Sequence, residues 1–211
     1  MIPIRAAYLE AAGSAAALLG DPAVAAAWDR PSVLPEFGVH GLAGHLGSQV
    51  LQVSRALAAE VPDEIPVSVP EFFTHAAAFH TDLDGESNVR IRHGSAAAAS
   101  GGVGALVSQV DTALAGQQVA LAAEQLSRVV PTPGGMPMLL DDFLLTRIME
   151  IALHSDDLAV SAEIPTPLLP AEAFEPVLDL LSRLAVVRHG QVAVLRALSR
   201  AERAPGTIAG I

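Results

Sequence analysis

Residues 138–161 read MLLDDFLLTRIMEIALHSDDLAVS, and the way this stretch is wound decides what the chain is. Leu, Ile, Met and Phe recur through it at helical spacing, and the prolines at 165, 167 and 170 close it, so the pattern predicts a long helix over Met138–Ser161. Within that apolar helix stand Glu150 and His154, four residues apart. Positions i and i+4 lie about 40° apart around an α-helix and one turn along it. The two side chains therefore point the same way. Asp157 continues that face, and Arg147 lies about 60° behind Glu150. A buried carboxylate beside a buried imidazole costs several kcal/mol unless the two are paired or bind a metal. The same four residues would also suit the solvent-facing stripe of an amphipathic helix, and a metal reading needs a third ligand from elsewhere.

His45 is the candidate. It sits in GLAGHLGSQV (41–50), within a predicted helix over Val39–Glu60 whose apolar stripe is Leu42, Leu46, Val50, Val53 and Leu57. Gly44 and Gly47 beside it leave room for another helix or a ligand to approach. His40 falls about 140° away on that helix and is a poor co-ligand. His75, His80, His93 and His189 have ordinary structural explanations, His189 as a cation near a helix end. Two imidazoles and one carboxylate from two helices would make a three-ligand site with an open position, the form of catalytic zinc sites. Nickel or iron would accept the same donors. Asp157 and Arg147 suit roles behind the ligands, orienting His154 or holding an anion.

Around these residues the chain reads as helix after helix. Helical patterns are expected over Pro3–Leu19, from an Asp21-Pro22 start through Trp28, over Pro70–His80, from Asp84 or Glu86 up to a break at Gly101-Gly102, over Val103–Leu126, and from Ala171 to about Arg203 with an interruption at Gly190. DRPSVLPEFG (29–38) and VPDEIPVSVP (61–70) are loops, and VVPTPGGMP (129–137) is turn-rich with a small extended piece at Val129 and Val130. Strand-like alternation is scarce. The expectation is an all-α bundle of at least four long helices, with additional short ones, forming a single domain over residues 1–211.

Composition narrows the chemistry. Of 211 residues 51% are apolar but only 4% aromatic, so the core must be built mainly from Ala, Leu and Val. The formal charge of −11 opposes phosphate backbones and anionic lipid, so neither nucleic acid nor membrane is an expected partner. All 12 basic residues are Arg, a usage typical of GC-rich bacterial genomes, and without Lys there is no Schiff-base route. With no Cys, the protein has no disulfide and no thiol nucleophile of its own, so any thiol chemistry must use a thiol brought in by a small molecule. MIPIRAAYLEAAG lacks the basic start and apolar run of a signal peptide, and no run of 18 or more residues is purely apolar. A soluble cytoplasmic protein is expected.

WDRPSVLPEFGVHGLAGHL (28–46), RIMEIALHSDDLAVS (147–161) and VLRALSRAER (194–203) together resemble the mycothiol-dependent maleylpyruvate isomerase N-terminal domain family, within the larger DinB-like group. Phe37-Gly38 departs from that family's pattern, which commonly places a tryptophan and a threonine cap there. The resemblance implies a DinB-like four-helix bundle holding a divalent metal, usually zinc, on His45, Glu150 and His154. It also implies a low-molecular-weight thiol such as mycothiol as cosubstrate, used for S-transfer to a small electrophile or for its cis–trans isomerisation. Arg147 or the pair Arg90 and Arg92 would then face negative charge developing on that substrate, although RIRH (90–93) also reads as a solvated helix face. Two other readings stay open: a non-catalytic metal-binding module, and a bundle whose histidines are core residues and which works by dimerisation. A homodimer is compatible with all three.

Overall fold

The structure is a computed structural model and describes residues 3–79 and 85–211. The helices are α1 (Pro3–Leu19), α2 (Pro22–Ala27), α3 (Val39–Ala58), α4 (Val69–Phe79), α5 (Glu86–Ala98), α6 (Val103–Ala123), α7 (Leu140–Ser161), α8 (Ala171–His189) and α9 (Gln191–Ser199). Between α6 and α7 lie two short strands, β1 (Val129–Pro131) and β2 (Pro137–Leu139), paired antiparallel with Val130 opposite Met138. The chain divides into two compact units, Met1–Ala173 and Phe174–Ile211.

In the first unit, α1, α6, α3 and α7 form a closed ring of neighbours, each packed on the next, and α5 lies along the outside of α3. This is the all-α four-helix bundle that the sequence predicts. Its core is made of small and branched residues: Ala7, Ala11, Ala12 and Ala15 on α1 face Leu42, Leu46, Val50 and Val53 on α3 and Leu144, Ile148 and Ile151 on α7, all at most 2% exposed. Alanine on one side and leucine on the other lets helix axes approach closely without voids.

Buried polar groups tie the ends of the ring together. The Arg5 guanidinium donates to Asp141 Oδ1 (2.7 Å) and to the carbonyls of Leu121, Glu124 and Gln125, satisfying the otherwise orphaned C-terminal end of α6. Arg128 does the same for α3 through the carbonyls of Leu57 and Ala59.

Several boundaries differ from the sequence expectation. Met138 and Leu139 are not the first turn of α7 but belong to strand β2, because residues 137–139 pair with 129–131; the extended piece expected at Val129 and Val130 is one half of this hairpin. The third helix stops at Ala58 and α6 at Ala123, where the next residue in each case turns to extended backbone. The breaks at Gly102 and Gly190 fall where expected, at φ values of 83° and 81° that favour glycine. Gly85 caps α5, and the proposed start at Asp84, like the histidine at position 80, lies outside the described residues. At Phe37-Gly38 the missing side-chain cap is replaced by backbone: Val39 N–H donates to Arg30 O and His40 N–H to Trp28 O.

At Gly44 the backbones of α3 and α5 come close together. A Cβ built there would lie 2.0 Å from the backbone oxygen of Ser95, so α5 can rest on α3 only because this residue is glycine. Gly44→Ala should therefore destabilise the fold by about 1–3 kcal/mol through overpacking. Gly13→Ala, on α1 with nothing within 4 Å of the new methyl, should raise stability by up to about 1 kcal/mol. Urea denaturation of the two variants checks the pair, and equal effects would remove the argument.

Candidate metal centre

The third and seventh helices meet face to face, and each brings a pair of residues one turn apart: His45 and Gln49 from α3, Glu150 and His154 from α7. His45, Glu150 and His154 converge from opposite sides, so that one ligand atom from each lies within 4.8 Å of the others. Glu150 Oε2 is 3.2 Å from His154 Nε2 and 3.8 Å from His45 Nε2. The two imidazoles stand edge to face, 4.5 Å between centroids. The three side chains are only 16–22% exposed. A solvated stripe is therefore excluded as the explanation of the Glu150–His154 spacing.

The far nitrogen of each imidazole is held from behind. His154 Nδ1 meets Asp157 Oδ2 at 3.0 Å, and His45 Nδ1 meets Ser95 Oγ at 3.2 Å. The Ser95 hydroxyl spends its own hydrogen on Ile91 O (2.7 Å), so towards His45 it accepts. That fixes His45 with its proton on Nδ1 and a lone pair on Nε2. Both rings thus present Nε2 to Glu150, the arrangement that metal-ligating histidines require, with carboxylate or hydroxyl acceptors orienting them from behind. On its donor set the site fits a divalent ion.

Arg147 is buried. It does not face the open side of the site but turns along α3, where it donates to the amide oxygens of Gln49 and Gln52 and stacks over the Phe143 ring at 5.1 Å. Arg90 and Arg92 do not point the same way. Two residues apart on α5, they project differently: Arg90 is exposed and bonds Ser87, whereas Arg92 lines an open cleft of ≈ 490 Å³ with Phe37, His40, Gly41 and His93. The Phe37 ring also contacts His45 edge-on at 6.1 Å, so this cleft adjoins the site. His75 bonds Glu71 O on its own helix, and His189 bonds Ala209 O in the second unit. Gln49 and Ser95 carry no charge and are not metal-ligand types, so composition does not single them out. The available signal was spacing, since Gln49 follows His45 by one turn as His154 follows Glu150.

Electrostatics follows the geometry. Burial pushes the Glu150 carboxyl up, but the hydrogen bond from His154, the His45 ring beside it and the charge of Arg147 outweigh it and hold the group well below its usual range. His45 is lowered, mainly by burial. For His154 burial lowers the value, yet the bonds to Asp157 and Glu150 prevail and raise it to about 9.

The sequence model of the mycothiol maleylpyruvate isomerase N-terminal domain family matches residues 9–159, which include His45, Glu150, His154 and Asp157. The chain belongs to this family. The match lies within the first compact unit, and VLRALSRAER (194–203) falls beyond it. Comparison with curated proteins and with solved structures gives no match. No helix among the described residues is long and apolar enough to cross a membrane.

The pH dependence of the metal-free protein tests the His154 pairing. A histidine whose folded pKa is raised from 6.5 to about 9 contributes stability that is complete below 6.5 and is lost as pH rises through 9. Melting temperature in chelator should fall over that window, and His154→Gln should flatten the slope. Parallel slopes in the two proteins would contradict the pairing.

Proposed function

We propose that His45, Glu150 and His154 hold one divalent metal ion, zinc above nickel or iron, and that the protein uses it with a low-molecular-weight thiol of the mycothiol kind. The reaction class is S-transfer to a small electrophile, or its cis–trans isomerisation by reversible thiol addition. The observation that carries this reading is the pair of imidazoles, each anchored at Nδ1 and each presenting Nε2 to one half-buried carboxylate. Three protein donors of the types N, N and O, reached from one partly open side, suit a catalytic rather than a closed structural site.

When bound, such an ion supplies the positive charge that keeps a thiol deprotonated near neutral pH. The chain's own residues supply the rest. Asp157 and Ser95 hold the rings in register. Phe37 walls the side nearest His45, and the cleft beyond it, with Arg92, His40 and His93, is wide enough for a small electrophile. Having no cysteine, the protein cannot replace the external thiol with one of its own.

Elemental analysis of purified protein should find about one transition metal per chain, lost in His45→Ala and Glu150→Ala. Metal-loaded protein given mycothiol and maleylpyruvate or a haloarene should form a thioether or the isomerised acid, and His154→Ala should abolish the product. Tight metal binding without product would make the domain a metal-binding module; no metal at all would overturn the proposal.

A further inference from the structure

Gln49 is 1% exposed, and every polar atom of its amide has a partner. The carbonyl oxygen accepts from Arg147 Nη1. That bond fixes which end of the amide points where, because Arg147 can only donate. The NH2 end therefore faces His45, giving one hydrogen to the His45 backbone oxygen (3.1 Å) and the other to His45 Nε2 (3.1 Å). His45 Nε2 has a single lone pair, and it is the one that a metal on this residue would take. Metal and amide hydrogen cannot both have it. Occupation of the site thus deprives a buried N–H, 3.1 Å from the ligating nitrogen, of its acceptor.

Charge points the same way. A divalent ion with Glu150, Asp157 and Arg147 sums to one net positive charge. Among the described residues no carboxylate lies within ion-pair distance of the Arg147 guanidinium, whose hydrogen-bond partners are Gln49, Gln52 and the Thr146 hydroxyl. One singly charged anion at the open position would neutralise the set and accept the stranded Gln49 hydrogen.

We infer that Gln49, oriented by Arg147, is the residue that selects a monoanionic ligand at the open position, with a thiolate as the fitting class. It acts first as the internal cap of His45 and then as donor to the incoming anion. Arg147 is a positioning residue, acting through Gln49. The inference rests on the metal assignment proposed above.

The test uses Co2+ as a spectroscopic stand-in and 2-mercaptoethanol as the probe, with azide as an anion lacking sulfur. Wild type, Gln49→Met and Gln49→Glu are compared for cobalt affinity in thiol-free buffer and for the near-ultraviolet sulfur-to-cobalt band on thiol titration. Gln49→Met should bind cobalt several-fold more tightly, since a competing donor is gone. It should bind thiolate and azide roughly ten- to a hundredfold more weakly, since a hydrogen bond to a charged group is lost. Gln49→Glu should retain cobalt and bind neither anion. Opposite signs for metal and anion are not produced by loss of structure alone. If Gln49→Met and Gln49→Glu hold cobalt and still bind thiolate as wild type does, the inference fails while the metal assignment stands; a wild-type protein that takes up no cobalt overturns both.

Discussion

A carboxylate half-buried between two helices is the constraint on which this structure turns. Glu150 left alone there would cost several kcal/mol. The bundle answers by surrounding it with His154 from its own helix, His45 from the facing one, and the charge of Arg147 behind. Each of these depends on α3 and α7 lying side by side, so the packing that forms the core also forms the site. Glycine is the enabling residue on the α3 side. Gly44 admits the backbone of α5, which delivers Ser95 to His45, and at Gly47 a Cβ would sit 2.8 Å from the Leu106 side chain on α6.

The resulting polar path runs through three helices, from Asp157 to His154, Glu150, His45, Ser95 and the carbonyl of Ile91. Its outer members are neutral or anionic acceptors and its inner members are ring nitrogens and a carboxylate oxygen. Such an order makes sense for a cation-binding centre and little sense for a hydrophobic core. A second polar group, Arg147 with Gln49 and Gln52, lies beside this path. Tyr8, Gln117 and Ser54 bond among α1, α6 and α3.

The sequence made the inner members legible because their signal is local. Glu150 and His154 share one helix at a spacing that fixes their direction, and His45 stands out as an imidazole among glycines on another. What it concealed depends on partners distant in the chain. Ser95 and Gln49 are ordinary residues until α5 and α7 are brought alongside. Arg147 lies beside the polar track by helical position, yet its long side chain can swing either way, and only the placement of Gln49 and Gln52 sends it inward. The β2 strand was hidden for the same reason, since Pro137–Leu139 becomes a strand only through β1. The Arg90 and Arg92 pair looked like one cationic feature in sequence, whereas a helix turns residues two apart to different sides.

One cation shared by residues of α3 and α7 is what the proposed function requires. Anomalous diffraction from crystals of zinc-loaded protein, recorded at the zinc edge, addresses that most directly. The prediction is a single strong peak about 2.0–2.2 Å from Nε2 of His45, Nε2 of His154 and a carboxylate oxygen of Glu150. A peak elsewhere, or fully loaded protein with none between these helices, would contradict it.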